Sequence, residues 1–243
     1  MTDYLIRDGK ASLAYHYRPG AGPTVVFLPG YMSNMQGGKA LALDAWAEAG
    51  KRAILRLDYA GCGESEGVFA EQTLASWHAD VLDLIDNVTT GPLVLVGSSM
   101  GGWQMLLAAL ARPERVVGLV GIAAAPDFTE WGFDETMRET LAEDGLIVEE
   151  SAYSETPSIT TLGLWESGQD LLLLDGEIGF DGPVRLIHGL DDADVPPSIA
   201  FRLGRALRSV DVQTILVKGG DHRLSRPQDL NLLVRTVAHL IET

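Results

Sequence analysis

Short apolar runs alternate with longer amphipathic stretches along most of the chain. The apolar runs predict buried strands at 24–28, 53–58, 93–96, 115–124, 184–188 and 212–217. The stretches between them carry apolar residues at helical spacing and predict helices at about 37–49, 73–88, 198–208 and 227–241. In the first helix, Leu41, Ala45 and Trp46 are expected to share the buried face. Strands that alternate with helices indicate an α/β fold with a mostly parallel, twisted sheet and helices on both faces.

Two segments depart from this alternation. Residues 4–17 alternate between polar and apolar positions around Asp8-Gly9, which predicts an antiparallel hairpin at one edge of the sheet. Between residues 124 and 184 the alternation of strand and helix patterns is interrupted. The regular runs within this segment are Thr136–Leu141 and Asp170–Leu174. This segment predicts a short helical cap insertion at about 126–182, over the active face of a single domain that spans residues 1–243.

The strand at 93–96 runs directly into Gly97-Ser98-Ser99-Met100-Gly101. A Gly-x-Ser-x-Gly pattern between a strand and a helix is typical of a nucleophile elbow, in which a tight turn exposes a serine hydroxyl at the start of the helix. Glycines two residues either side of Ser99 are expected because a Cβ there would collide with the neighbouring backbone. The pattern therefore predicts Ser99 as a nucleophile, the alternative being an ordinary glycine-rich turn.

A serine nucleophile needs a base and an acid that orients the base, and in this kind of sheet the acid precedes the histidine along the chain. His16 and His78 precede Ser99, and His239 lies within the last predicted helix. His188 ends a strand directly before a glycine, so His222, in the loop after the last strand, is the predicted base.

Several carboxylates are candidates for the acid. Three of them follow the strand at 184–188, namely Asp191, Asp192 and Asp194, and Asp127 follows the preceding strand. The sequence pattern alone does not show which of these four carboxylates is the acid. The acidic trio is also compatible with calcium ligands, but no second oxygen-rich segment is evident nearby.

An oxyanion hole requires two backbone N–H groups directed at the developing negative charge. The amide of Met100, directly after the nucleophile, is one by position. The loop after the strand at 24–28 supplies the other, and there the amide of Tyr31 is the candidate. Within the insertion, Trp131 and Trp165 are candidates for lining an acyl pocket, with burial in the core as the alternative.

Composition narrows the class of partner. The chain has 34 acidic and 18 basic residues, a formal net charge of -16, which argues against nucleic acid or an anionic membrane surface as a partner. No apolar run approaches the roughly 20 residues of a membrane-spanning helix. The single cysteine, Cys62, excludes an internal disulfide, and no histidine is placed to activate it as a nucleophile. Without a signal peptide pattern, we expect a cytoplasmic protein.

Six motifs together resemble the α/β-hydrolase superfamily. They are Pro29-Gly30-Tyr31, Asp58-Tyr59-x-Gly61-x-Gly63-x-Ser65, Gly97-Ser98-Ser99-Met100-Gly101-Gly102-Trp103, Ala111-Arg112-Pro113-Glu114, His188-Gly189-x-x-Asp192-x-x-Val195-Pro196 and Asp221-His222-Arg223. Within that superfamily they are most similar to the animal mitochondrial acyl-protein (palmitoyl) thioesterase and acyl-glucuronide esterase family. The similarity extends over nearly the whole chain and weakens in the insertion at 126–182.

The resemblance implies an α/β-hydrolase fold and a triad of Ser99, Asp192 and His222, because in that family the acid is the fourth residue after the histidine of the His-Gly motif. The chain has Pro29-Gly30 where many lipases and esterases have His-Gly, which changes a residue beside the donating amide and not the amide itself. It also lacks a mitochondrial presequence, which points to a bacterial relative.

The predicted function is that of a serine hydrolase, without a cofactor, acting on small-molecule or acylated-protein esters or thioesters with an apolar acyl group. Three alternatives stay open: a serine peptidase, a lyase or perhydrolase of the same fold that needs no cofactor, and a receptor that binds a small ligand without turnover. The Gly61-x-Gly63 segment lacks a following nucleotide-binding fingerprint, so nucleotide binding is not expected.

Overall fold

The computed structural model describes residues 2–150 and 157–242, so residues 151–156 of the predicted insertion lie outside the described residues. The strands are β1 (Asp3–Leu5), β2 (Leu13–Arg18), β3 (Ala21–Leu28), β4 (Arg52–Leu57), β5 (Leu93–Ser98), β6 (Val116–Ile122), β7 (Leu146–Glu149), β8 (Ser158–Thr161), β9 (Val184–Gly189) and β10 (Val212–Val217). The helices are α1 (Gly38–Gly50), α2 (Leu74–Val88), α3 (Met100–Ala111), α4 (Phe128–Trp131), α5 (Glu135–Asp144), α6 (Leu162–Gln169), α7 (Ser198–Ala206) and α8 (Pro227–Glu242).

Eight strands form one sheet in the order β1-β2-β4-β3-β5-β6-β9-β10. The six strands from β4 to β10 in this order are parallel, whereas β2 is antiparallel to both of its neighbours. The predicted hairpin at 4–17 and the predicted parallel sheet are therefore confirmed. Because the loops after parallel strands emerge at one edge, the segments after β3, β5, β9 and β10 lie along the same side of the molecule.

Two apolar layers cover the sheet. One contains buried residues of α2, α3 and α7, and the other contains buried residues of α1 and α8. Helix α2 begins with a capping box, in which the Thr73 hydroxyl accepts from the Ser76 amide and the Ser76 hydroxyl accepts from the Thr73 amide. The elbow helix α3 is buried over most of its length, as expected for a helix in the centre of such a layer. In residues 2–150 and 157–242, no helix has the length and apolar character needed to cross a membrane.

The predicted buried face of α1 is wrong. Ala40, Leu43 and Ala47 are buried, whereas Leu41 is 44% exposed. Ala40, Leu43 and Ala47 lie in the apolar layer that also contains residues of β3, β4 and α8, and Leu41 lies outside that layer. Trp46 is half-buried, with the guanidinium of Arg52 4.6 Å from its ring centroid.

The segment between β6 and β9 contains the helices that the sequence predicts and, in addition, a short pair of strands that it does not predict. It contains α4, α5 and α6 but also an antiparallel pair, β7 and β8, joined in register from Leu146 opposite Thr161 to Glu149 opposite Ser158. The run Thr136–Leu141 lies within α5 as expected, whereas Asp170–Leu174 follows α6 as non-helical chain. We refer to the described residues of 126–182 as the cap.

Candidate active site

Ser99 occupies a strained turn between β5 and α3. Its φ of 54° lies in the left-handed region, which a non-glycine residue rarely adopts. The turn requires glycines on both sides: a Cβ on Gly97 would lie 2.3 Å from the Gly101 carbonyl oxygen, and one on Gly101 would lie 2.1 Å from the Leu28 carbonyl oxygen. The sequence pattern thus forms the tight strand-to-helix turn that it predicts.

The structure joins Ser99, His222 and Asp192 by hydrogen bonds. The Nε2 atom of His222 lies 3.0 Å from Ser99 Oγ, and its Nδ1 atom lies 3.0 Å from Asp192 Oδ2. Ser99, His222 and Asp192 follow β5, β10 and β9, respectively, at the carboxyl edge of the sheet. His222 is separated from Ser99 by 123 positions and from Asp192 by 30, so only the parallel topology brings the three together.

The carboxylate of Asp192 is enclosed, with no exposed side-chain area. Its Oδ1 accepts from the amides of Asp194 and Val195 at 3.0 and 2.8 Å, and its Oδ2 faces His222 and His188. Burial raises the pKa of Asp192, but hydrogen bonds from His188, His222 and the Val195 amide outweigh that effect and hold the pKa well below its usual range. The carboxylate is therefore ionised at neutral pH.

The other candidate acids have different surroundings. Asp191 and Asp194 are exposed, and each donates its backbone amide within the site region: Asp191 to the Gly220 carbonyl and Asp194 to Asp192. Asp127 is 2% exposed, and its carboxylate accepts from the amides of Leu173 and Leu174 at 2.7 to 3.0 Å. Asp127 therefore connects the segment that follows β6 to the part of the cap that follows α6.

Asp192, Asp194 and His222 also form a group of side chains with metal-ligating atoms. Among the described residues these atoms lie within 4.8 Å of one another. Two of the three residues already contact each other through Asp192 Oδ2 and His222 Nδ1. The cluster thus coincides with the hydrogen-bonded group that includes Ser99 and is not a separate site.

The loop after β3 passes directly over Ser99. A Cβ built on Gly30 would lie 3.2 Å from the Ser99 Cβ, which places the neighbouring Tyr31 beside the elbow. Met100 is the first residue of α3, where a backbone amide has no carbonyl partner within its own helix. Both residues predicted to supply the oxyanion hole therefore lie next to Ser99.

The side chain of Tyr31 links this loop to the cap. Its ring packs against Phe69, Trp77 and Phe128 with centroid distances of 5.3 to 6.3 Å. Its hydroxyl donates to the carbonyl oxygen of Ile159 in β8. Burial raises the pKa of this hydroxyl above its usual range, so it remains a donor. The sequence pattern assigns a role to the Tyr31 amide but does not predict this side-chain contact, which joins positions 128 apart in the chain.

Trp131 and Trp165 are half-buried within the cap. The indole N–H of Trp131 donates to the Pro126 carbonyl at 2.7 Å, and that of Trp165 donates to the Thr129 carbonyl at 2.9 Å. Trp131 also packs against the main apolar layer. These contacts fix both rings relative to α4, while their role in lining an acyl pocket stays a prediction.

Cys62 is buried, and burial raises the pKa of its thiol to about 12. At pH 8 the thiolate fraction is then about 10³-fold lower than that of an ordinary thiol with a pKa near 9. We expect iodoacetamide to alkylate Cys62 at least about 100-fold more slowly in the folded protein than in urea-unfolded protein, as measured by mass spectrometry. Rapid labelling of the folded protein at pH 8 would contradict this assignment.

Comparisons with known proteins agree with this architecture. A model of the alpha/beta hydrolase family matches residues 25–232. The mitochondrial palmitoyl-protein thioesterase ABHD10 of Bos taurus is 40% identical over 98% of this chain and 79% of its own length, and the human protein of that name is 38% identical over the same shares.

Two solved structures have the same fold over nearly their full length. Alpha/beta hydrolase domain-containing protein 10 from mouse has a TM-score of 0.93 and 38% identity, covering 100% of this chain and 98% of the mouse chain. A putative hydrolase from Agrobacterium vitis S4 has a TM-score of 0.93 and 36% identity, covering 99% and 98% of the two chains. With a family match over most of its length and thioesterase-named relatives across 98% of it, the chain belongs to the alpha/beta hydrolase family and is a hydrolase.

Proposed function

We propose that this hydrolase cleaves carboxylic esters or thioesters with an apolar acyl group, with Ser99 as nucleophile, His222 as base and Asp192 as acid. The observation that carries the proposal is the hydrogen-bonded path from Ser99 Oγ through both ring nitrogens of His222 to Asp192 Oδ2, with both links at 3.0 Å. A serine hydroxyl held by an imidazole that is itself held by an ionised carboxylate is an activated nucleophile.

In the first half of the reaction, His222 Nε2 takes the proton of Ser99 Oγ as that oxygen bonds to the acyl carbon. The negative charge that develops on the acyl oxygen is stabilised by the amides of Met100 and Tyr31. His222 then gives the proton to the departing thiolate or alkoxide as the bond to the leaving group breaks. This step releases the thiol or alcohol and leaves an acyl-enzyme.

In the second half, water replaces the leaving group. His222 takes one proton from water, and the resulting hydroxide bonds to the acyl carbon of the Ser99 ester. The same two amides stabilise the second tetrahedral oxyanion. The bond to Ser99 Oγ then breaks, His222 returns its proton to that oxygen, and the carboxylic acid is released. Throughout, Asp192 keeps His222 Nδ1 protonated and stabilises the transient imidazolium.

The apolar acyl preference is supported by the surroundings of Ser99. Tyr31, beside the elbow, joins an aromatic cluster with Phe69, Trp77 and Phe128. Phe128, from the cap, also packs edge-on against Trp103 of the elbow helix at 5.6 Å. In the proposal, Trp131 and Trp165 extend this apolar wall along the cap side. The palmitoyl-protein thioesterase name of the relatives fits an acylated thioester substrate.

A panel of acyl thioesters and p-nitrophenyl oxyesters, from acetyl to palmitoyl, tests this function. We expect both classes to be hydrolysed, with a higher kcat/KM for medium or long acyl chains than for acetyl, since burial of each CH₂ contributes about 0.8 kcal/mol. Binding of these esters without turnover would favour the receptor alternative. Cleavage restricted to peptides, or acyl transfer to peroxide in place of water, would favour the peptidase or the perhydrolase.

A further inference from the structure

His188 is a buried residue that the proposed reaction does not use. It lies in β9 with a side chain that is 1% exposed, four residues before Asp192. Its Nε2 atom lies 2.9 Å from the Val195 carbonyl oxygen and 3.2 Å from Asp192 Oδ2. The same ring nitrogen therefore faces two oxygens of the loop that carries the proposed acid.

The chemistry of these two oxygens assigns the proton on the ring. A backbone carbonyl can only accept a hydrogen bond, and the ionised carboxylate of Asp192 likewise has no proton to donate. The Nε2 atom must therefore carry the hydrogen and share it between the two acceptors. His188 thus acts as a donor to the same carboxylate oxygen that accepts from His222 Nδ1.

Four donors together fix the carboxylate. The amides of Asp194 and Val195 hold Oδ1, while His222 and His188 hold Oδ2. Rotation of the carboxylate would break bonds to both the backbone and a buried ring. The Val195 carbonyl contact also ties His188 to the loop that presents the two amides. The ionisable groups facing the carboxylate are His188 from β9, His222 from the loop after β10 and Asp194 from its own loop.

We propose that His188 is a positioning residue of the reaction, whose Nε2–H orients Asp192 and shares the oxygen on which His222 depends. This inference rests on the proposed triad. Because His188 and His222 share Asp192 Oδ2, loss of the His188 donor would leave the carboxylate held at Oδ1 by the backbone amides and at Oδ2 by His222 alone.

The matched variants His188→Gln and His188→Met test this role. The two side chains have nearly the same length and shape, but only glutamine places an N–H donor near the former Nε2 position. We expect His188→Met to lower kcat by about 10- to 100-fold with little change in KM, because misplacement of a catalytic group by about 1 Å has an effect of this size.

His188→Gln is expected to recover most of kcat, because its side-chain N–H can donate to Asp192 Oδ2 in place of the ring. Equal loss of kcat in both variants, or a Met variant with wild-type kcat, would contradict the positioning role, provided that circular dichroism and thermal melting show folded proteins. If the wild-type enzyme itself does not label at Ser99 with a fluorophosphonate, the proposed triad fails instead. Normal Ser99 labelling and a silent His188→Met variant would overturn only the inference about His188.

A measurement on the wild-type protein keeps the inference testable even if the Met variant does not fold. In ¹⁵N-histidine-labelled protein, we expect the ring of His188 to carry a hydrogen on Nε2, as read from the ¹⁵N shifts and the one-bond N–H coupling. A ring protonated at Nδ1 alone would overturn the assignment, because Nε2 would then have no hydrogen to donate to Asp192.

Discussion

Replacement of Ser99 by alanine is expected to lower kcat/KM for ester and thioester hydrolysis by at least about 10⁴-fold while leaving the fold intact. The variant lacks the oxygen that is proposed to form the acyl-enzyme, so only the proposed oxyanion donors and substrate binding would contribute to the remaining rate. Alanine has the same steric requirements at φ 54° as serine, so the strained turn is no worse in the variant. Steady-state kinetics measure kcat/KM of the variant, and thermal unfolding shows whether the variant is folded.

Ser98→Ala is the matched control for this substitution. Ser98 is the last residue of β5, is buried at 7% exposure, and precedes Ser99 directly. Its variant is expected to retain activity within a few-fold and to remain labelled by a fluorophosphonate, whereas Ser99→Ala is not labelled. Similar losses in the two variants, or more than about 1% residual activity in Ser99→Ala, would exclude Ser99 as the nucleophile.

Asp192→Asn is expected to reduce kcat by about 10³- to 10⁴-fold at pH 7, the size of effect known when a triad carboxylate becomes an amide. The carbonyl oxygen of the new amide side chain can still accept from the Asp194 and Val195 amides, which directs its NH₂ group towards His222 and His188. That NH₂ group donates to His222 Nδ1, so the ring carries its proton on Nε2. In that tautomer the ring has no lone pair to accept the proton of Ser99.

Three companion variants identify the acid. Asp191→Asn and Asp194→Asn change exposed carboxylates and are expected to retain activity within a few-fold. Asp127→Asn weakens the contact to the Leu173 and Leu174 amides, so its effect is expected mainly on thermal stability and KM. The opposite result would identify Asp127 as the acid. In that case Asp127→Asn would lose about 10³- to 10⁴-fold in kcat, and Asp192→Asn would be unaffected.

Most of the fold follows from local patterns in the sequence. Apolar runs such as Val94–Val96 identify strands that are buried on both faces. Amphipathic stretches such as 73–88 identify helices because apolar side chains recur about every 3.6 residues. The alternation of the two then implies the parallel sheet. The elbow pattern is local as well, since Gly97, Ser99 and Gly101 lie within five consecutive residues. Its glycines have different reasons: a Cβ on Gly97 would meet the turn itself, whereas one on Gly101 would meet the backbone of β3 at Leu28. The strands β7 and β8 of the cap are not predicted from the sequence. Each is short, and both lie in the segment where the regular alternation of apolar runs and amphipathic stretches is interrupted.

The sequence by itself therefore determined the strand and helix order, the elbow and the histidine in the last loop, since each depends on neighbours a few positions away. Only the tertiary structure decided which surface of α1 is buried, which carboxylate faces His222, and that His188 and Tyr31 make contacts from the site to its surroundings. The Tyr31 contact joins positions 128 apart and the His222–Asp192 contact joins positions 30 apart. His188 contacts Asp192 and Val195, four and seven positions further along the chain, through the course of the loop after β9. Sequence periodicity carries no information on such approaches, because it records which side of an element is apolar and not which partner covers it. Around Ser99, the turn is a local property of the chain, and the hydrogen-bonded path that leads from it to Asp192 is a property of the fold.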